Sequence, residues 1–346
     1  MSSKQFGGKI TPEWKSKYQA SPNWKNGTFH NLMETQTALN WRILPTIIYK
    51  QIKGHKEGQP KSLLPVAPFN AERFYSQANS AKLIWYGHSV MLLALNGKTI
   101  LIDPMFGPDA SPIGPKRTQR FSENTLALID DLPPIDLMLL THDHYDHLDF
   151  ASITRLIPKI KQAFVAFGAK RHLMHWGVNE AIIQEFDWWD SKSFHDIQIT
   201  FTPTRHFSGR GLTSMAKCLW GGWALKTPQE NIWFSGDGGY SNHFKEIGKR
   251  LGPFDLGIME CGQYCPDWAQ IHLFPNESVQ AAVDAKVKTA MPIHWAGFNL
   301  SYHHAWYEPA HEFIKYAQQK QLHYITPDLG QVFDNQSISH AWWEKF

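Results

Sequence analysis

The run IDLMLLTHDHYDHLD, Ile135 to Asp149, sets a short apolar stretch directly against a loop crowded with metal-ligating side chains. Its apolar residues are continuous and bounded upstream by DLPP, the pattern of a strand buried in a sheet. The nine residues from Thr141 to Asp149 then hold three histidines and three aspartates. Three later strand-like runs also end on a potential ligand: ITFTPTR on His206, NIWFSG on Asp237 and KTAMPI on His294. A sheet gathers strand ends along one edge, so ligands far apart in sequence can converge there. Loops carried on rigid strands are a common way to build a precise polar site.

The spacing inside the histidine loop narrows the chemistry. In extended backbone, alternate side chains share a side, so His142 and His144 can serve one metal ion. Asp146 and His147 fall where a helix is expected to begin, and the change of direction turns them toward a second position. A carboxylate such as Asp146 is also favoured near a helix N-terminus. Imidazole and carboxylate donors suit Zn2+, and they suit iron or manganese as well. Five histidines (142, 144, 147, 206 and 294) and two aspartates (146 and 237) exceed the needs of one tetrahedral ion. Two ions account for the total, one held by three imidazoles and one by mixed ligands, with Asp237 as a bridging carboxylate. His172, His175, His243, His303 and His304 have no comparable placement and read as surface or packing residues.

Around this core the chain divides in two. Residues 81–346 alternate strand-like runs (AKLIWYG, SVMLLALNG, KTILIDP, DIQITFTPT, WGGWALKT, DLGIMEC, HYITPDLGQVF) with helical ones (ASITRLIPKI, AKRHLMHWG, NESVQAAVDAK). Strands in two clusters with helices between them predict stacked sheets covered by helices, an α+β domain. Residues 1–80 read as an N-terminal extension wrapping that core. LNWRILPTIIYKQIKGHK is apolar and flanked by bases, but Pro45 interrupts any helix spanning all of it. KSLLPVAPFN reads as an extended arm, and a membrane-surface role for the basic apolar part is the alternative reading.

Composition bounds the class. With 42% hydrophobic and 14% aromatic residues in 346, the chain can bury a substantial core. A formal net charge of +3 gives no reason to expect a nucleic-acid partner. Three cysteines argue against a disulfide framework and fit a reducing compartment. MSSKQFGGKITPEW lacks the apolar core of a secretory signal, and no apolar run reaches the ~18 residues of a spanning helix. A cytoplasmic protein, with room for peripheral membrane contact and for a homodimer, is the expectation.

HDHYDH, RHFSG, SGDGGY and IHW, in this order, resemble the metallo-β-lactamase superfamily of hydrolases. More closely, WYGHSVMLLALNGKTILIDPMF, THDHYDHLD and HLFPNESVQAAVDAKVKTAMPIHWAGF are similar to the bacterial relatives of N-acylphosphatidylethanolamine-hydrolysing phospholipase D. The resemblance runs over about residues 80–335 and implies an αββα sandwich with two zinc ions at one edge. Carried over, it puts His142, His144 and His206 on one ion and Asp146, His147 and His294 on the other, with Asp237 bridging. It implies that Asp103 supports the histidine loop from behind and that His272 faces the substrate. Where relatives carry an acid, this chain has Asn276, leaving Glu277 at the start of that helix. The implied reaction is attack on a phosphodiester by a hydroxide shared between the metals, with Asp146 orienting it or taking its proton. The implied substrate is a lipid of the N-acylphosphatidylethanolamine type or a small phosphodiester; the alternative is a lactonase or other cyclic-ester hydrolase using the same site.

Other signals are weaker. CGQYC (Cys261, Cys265) lacks CxxC spacing and reads as packed thiols. SGDGGY has no phosphate-loop lysine, so its glycines are expected to let backbone crowd the metals. Arg210, Lys116 and Arg117 read as loop residues, either solvated or contacting phosphate. Di-iron oxidoreductases of the same fold usually carry an acid where His144 stands, together with a flavin domain, and this chain has neither.

Overall fold

The computed structural model describes residues 3–36, 44–76, 80–111, 118–211 and 214–346. Two seven-stranded sheets dominate it. The first contains β3 (Lys82–Trp85), β4 (Met91–Leu95), β5 (Lys98–Ile102), β6 (Leu137–Leu140), β7 (Ala163–Ala166), β8 (Ile183–Phe186) and β16 (Val332–Phe333), in the order β16-β3-β4-β5-β6-β7-β8. The second contains β9 (Ser191–Phe194), β10 (Ile197–Pro203), β11 (Gly221–Lys226), β12 (Asn231–Phe234), β13 (Phe254–Glu260), β14 (Val287–Ile293) and β15 (His323–Tyr324), in the order β15-β14-β13-β12-β11-β10-β9.

Each sheet is half antiparallel and half parallel. The β3–β4–β5 meander turns through Asn96-Gly97 and continues into parallel β5 to β8. In the second sheet, β12 to β15 run parallel while β9 to β12 run antiparallel. Two antiparallel steps restore direction, so β3 runs with β5, and β10 runs with β12. The C-terminal ends of β3, β5, β6, β10, β12, β13 and β14 therefore converge on one rim of the sandwich. The ligand-bearing loops leave from that rim.

Alternation along the strands builds the layers. In β11 and β12, Trp223, Leu225, Ile232 and Phe234 face the core shared by the two sheets. Ala224 and Trp233 face outward, onto α7 (His243–Arg250) and its neighbours. That outer layer includes α8 (Pro275–Asp284) and α9 (Glu308–Gln319), with Phe244, Val279 and Phe313 packed under it. β6 (LMLL) and β7 (AFVA) are buried at every position, as parallel strands covered on both faces must be. The crossovers on that side carry α4 (Leu128–Asp131), α5 (Phe150–Leu156) and α6 (Lys170–His175). The result is the α+β sandwich of two sheets between helices.

Differences from the sequence reading have local causes. β8 (IQEF) and β9 (SKSF) carry polar side chains because they are edge strands, which bury one face at most. HYITPDLGQVF reads as one strand but forms two short ones in different sheets, since Pro327 and Gly330 (φ 78°) turn the chain between them.

The N-terminal residues lie across this sandwich. α1 (Pro12–Tyr18) and the β1 (Trp24–Lys25)–β2 (Thr28–Phe29) ribbon bury Tyr18 among Trp24, Phe29 and Phe167. α2 (Leu44–Lys53) accommodates Pro45 in its first turn, where a missing N–H breaks no helical bond. After α2 an extended arm pairs Leu64 N–H with Phe121 O and Ala67 N–H with Leu329 O, before α3 (Ala71–Phe74). Among the described residues no helix is long and apolar enough to cross a membrane.

Candidate metal centre

β6 ends at Leu140, and the next seven residues reverse the chain through a turn at Tyr145–His147, ahead of α5. The sequence expectation put a helix start at Asp146; the helix begins later, at Phe150, capped by Asp149. The three aspartates of the loop thus have three different tasks. Asp149 caps α5 by accepting from Ser152 N–H at 2.8 Å. Asp143 points away from the centre and accepts from Gly209 N–H (2.8 Å) and His172 Nε2–H (3.1 Å), tying the loop to the one that carries His206. Only Asp146 faces the centre.

Seven side chains meet at the rim. His142 Nε2 lies 2.9 Å from His144 Nδ1, and His206 Nε2 lies 3.2 Å from the same atom. On the other side, His147 Nε2 and His294 Nε2 are 3.4 Å apart, and each lies within 3.5 Å of Asp146 Oδ2. Asp237 Oδ2 stands between the groups, 3.0 Å from His147 and His294, 4.0 Å from His142 and 3.9 Å from His206.

The opposite nitrogen of four of these imidazoles is already engaged. Thr141 donates its hydroxyl proton to Asp103 (2.6 Å), so its oxygen accepts from His142 Nδ1–H (3.0 Å). His147 Nδ1–H donates to Asp103 Oδ2 (2.7 Å), His206 Nδ1–H to Ile271 O (2.8 Å) and His294 Nδ1–H to Gly262 O (3.3 Å). With one proton spent outward, each ring, once neutral, turns a lone pair inward. Lone pairs crowded at about 3 Å repel one another unless a cation lies among them. A tetrahedral zinc with bonds of about 2.0–2.1 Å has edges of about 3.3 Å, close to the spacings seen. The donor set therefore fits metal ions.

Electrostatics agree with a cation site. Burial, helped by neighbouring His147 and His144, holds His142 well below the usual imidazole range; burial and His144 do the same for His206. Burial opposes ionisation of Asp146 and Asp237, but His147 and His294 together, with His88 for Asp146, outweigh it and both carboxyls stay well below their usual range. Burial also works against charge on His147, yet Asp237 and Asp146, with Asp103 behind, push it up to about 10. In the metal-free chain that proton substitutes for a cation.

His272 stands beside this cluster, its ring 5.1 Å from His206 and stacked 5.3 Å from His294, with its side chain partly exposed. Its Nδ1–H donates to Glu260 Oε1 at 2.9 Å, which leaves Nε2 on the cluster side. Glu277 accepts from Phe274 N–H at the start of α8, so Asn276 disturbs nothing there. Sequence reasoning passed over Glu260 at the end of β13 and His88 just beyond β3, although both obey the same strand-end rule. His88 Nε2–H donates to Asp146 Oδ2 at 2.8 Å, and burial holds its ring down to about 3, hence neutral.

Arg210 corrects the sequence reading in a different way. It is neither solvated nor available to a phosphate: its guanidinium is buried, stacked 4.0 Å over Tyr145. It donates to the carbonyls of Asp143 (2.8 Å), Leu148 (2.7 Å) and Gln5 (2.7 Å). It thus clamps the metal loop to the N-terminal segment. Lys116 and Arg117 lie outside the described residues. His172, His243 and His304 are buried, and His172 also accepts from Gly8 N–H.

The glycines of SGDGGY do let backbone close in. Gly236 has φ 65°, and a Cβ there would meet Gly221 O at 2.2 Å. Gly236→Ala is therefore expected to destabilise the fold by about 2–4 kcal/mol, from left-handed backbone strain plus a clash with main chain. Urea unfolding checks this; a change below about 0.5 kcal/mol contradicts it.

Comparison with known proteins places this geometry. The family model for the beta-lactamase superfamily domain matches residues 98–295. The chain belongs to the metallo-β-lactamase superfamily. An uncharacterized protein of Mycobacterium tuberculosis is 33% identical over 335 residues, covering 94% of this chain and 88% of the relative. The N-acyl-phosphatidylethanolamine-hydrolyzing phospholipase D 1 of Caenorhabditis elegans is 31% identical over 290 residues, covering 79% and 81%. Among solved structures, the metallo hydrolase Igni18 of Ignicoccus hospitalis superposes with a TM-score of 0.58 at 18% identity, covering 73% of this chain and 97% of that one. As a superfamily member with this His/Asp cluster, the chain is a metal-dependent hydrolase.

Proposed function

We propose that this metallo-β-lactamase superfamily member is a dinuclear phosphodiesterase of phospholipase D type, acting on N-acylphosphatidylethanolamine-like lipids. The observation that carries the two-ion part is the inward convergence of imidazole and carboxylate donors in two groups around Asp237 Oδ2. His142, His144 and His206 would hold one zinc ion; Asp146, His147 and His294 would hold the other, with Asp237 shared. Such a pair of cations supplies a water ionised near neutral pH and a sink for charge growing on phosphoryl oxygens. Asp146, the most exposed side chain of its donor group, would orient that water or take its proton. Asp103 fixes His147 from behind. His272, with Glu260 fixing its far nitrogen, presents Nε2 to the substrate side.

The lipid part draws support from the phospholipase D relative and from the rim. We read residues 1–80 as an extension that helps shape that rim. Asn31 holds the backbone of His206 through both its amide atoms, and Leu32, which follows it, is 63% exposed. α2 is docked near the His272 loop by Lys50 on Asp267 (2.7 Å), leaving Tyr49 and Ile52 67% and 74% exposed. Apolar side chains held in water beside a buried hydrolytic site suit a substrate with acyl chains.

The test is release of phosphatidic acid from N-acylphosphatidylethanolamine in mixed micelles, with and without a chelator. Chelator-sensitive release is expected. Protein carrying two ions that releases none would overturn the lipid reading and point the same site to lactones and small phosphodiesters.

A further inference from the structure

His88 is completely buried, and nothing in the reaction outlined above uses it. We propose that His88 is a positioning residue for Asp146, fixing the carboxylate oxygen that serves the metal position formed with His147 and His294. The proposal rests on the two-ion reading of the site.

Three observations carry it. First, the contact is specific. An ionised carboxylate only accepts, so the 2.8 Å contact has His88 Nε2–H donating to Asp146 Oδ2. That same oxygen lies 3.5 Å from His147 Nε2 and 3.4 Å from His294 Nε2. His88 thus engages one lone-pair direction of the atom that faces the metal position and leaves another for the ion.

Second, the ring has one polar task. Its Nδ1 is buried and has no hydrogen-bond partner among the described residues. A histidine serving only to tie chain segments together would be expected to use both nitrogens, as His172 does with Gly8 and Asp143. Here the single N–H is aimed at a ligand.

Third, the ring is held where it cannot swing. His88 N–H donates to Trp295 O (2.8 Å), and His294 N–H donates back to His88 O (3.0 Å). Trp85 Nε1–H adds a second bond to His88 O (2.9 Å). The ring lies 4.1 Å from that of His294 and 5.1 Å from Phe298. Gly297 makes the approach feasible, because a Cβ there would stand 2.7 Å from His88 Cβ. His88 itself has φ 53°, a conformation that a non-glycine residue keeps only where its surroundings enforce it. The turn after β3 in one sheet is thereby locked to the turn after β14 in the other. Asp146, by contrast, sits on a turn, and its side chain is the most exposed of the three that form this position. Without His88 its carboxylate could rotate away from the position it shares with His147 and His294.

The experiment measures stepwise zinc dissociation constants, by competition with a chromophoric chelator, for wild type, His88→Ala and His88→Gln. Thermal unfolding of the stripped proteins is measured alongside. Wild type should bind two ions. His88→Ala should weaken one of them about 10–100-fold, the usual range for removing a residue that orients a ligand, and leave the other almost unchanged. His88→Gln, whose terminal amide can donate in place of Nε2–H, should recover most of the loss. Unchanged affinities in His88→Ala would overturn the proposal. So would equal weakening at both positions with a lowered unfolding temperature that Gln does not repair, the mark of a packing residue. If wild type binds a single ion, the two-ion reading falls separately. His88 then stands if that ion weakens in Ala and recovers in Gln, and falls if it does not.

Discussion

Asp237→Ala is expected to lower kcat/KM by about 10³-fold or more, a loss of about 4 kcal/mol of transition-state stabilisation. The size follows from position. One oxygen of Asp237 lies within 4.0 Å of four imidazole nitrogens, two from each donor group. In the two-ion reading Asp237 is the side-chain carboxylate shared by both metal positions, so its removal should loosen both ions and let them move apart. Metal analysis of the purified variant should show less than the wild-type content. Asp237→Asn keeps the shape and one oxygen donor but not the charge, and it should fall between wild type and Ala. A variant that loses less than tenfold in kcat/KM while keeping its full metal content would rule out a bridging role.

Stripping the metal should have the second large effect, on both activity and stability. Activity should vanish and return on adding zinc. Each ion bound only by the folded state, at a thousandfold excess over its Kd, contributes about 4 kcal/mol, so the unfolding temperature should drop markedly on chelation. The pH dependence has a definite sign. In the stripped chain His147 is raised to about 10 and His294 is raised too, both by Asp237 and Asp146 outweighing burial. Stability from these raised groups is fully present below the unfolded histidine value of about 6.5 and is lost as pH rises through their folded values. Asp146 and Asp237, held low, contribute above the unfolded carboxylate value of about 3.9 and lose their contribution as pH falls through their folded values. Metal must displace the protons on His147 and His294, so zinc affinity should rise with pH, with net proton release on binding. Calorimetric titration in two buffers of different ionisation enthalpy reads that release directly. Zinc binding with no proton release at pH 7 would contradict the assignment of a protonated His147.

Much of the centre is legible without a structure, for reasons visible in particular residues. LMLL followed by THDHYDH is readable because a parallel strand buried on both faces must be continuously apolar, which makes its end conspicuous. His206, Asp237 and His294 are legible because each follows a strand-like run whose end can be located to within a residue or two. The same rule covers His88 after LIWYG and Glu260 after LGIM, but a single histidine or glutamate at a strand end carries little signal of its own. Edge strands β8 and β9 were illegible because one solvated face dilutes the apolar pattern to SKSF and IQEF. Arg210 was misjudged because a glycine-flanked arginine looks solvated. Only the fold shows three carbonyls and two aromatic rings closed around it.

The sequence by itself determined the ingredients: which strands are buried, which loops carry ligands, and that the donors are imidazole and carboxylate in numbers suited to two ions. These are local properties, written in periodicity and in the residue after each strand. The tertiary structure alone decided the partition of tasks. Asp143, Asp146 and Asp149 are chemically alike and lie within seven residues of one another. One ties loops, one faces the centre and one caps a helix, and the difference is set by which N–H groups the opposite sheet, the turn after β3 and the next helix bring to the three carboxylates. Orientation of a short side chain is fixed by its hydrogen-bond partners, and those partners come from elements distant in sequence.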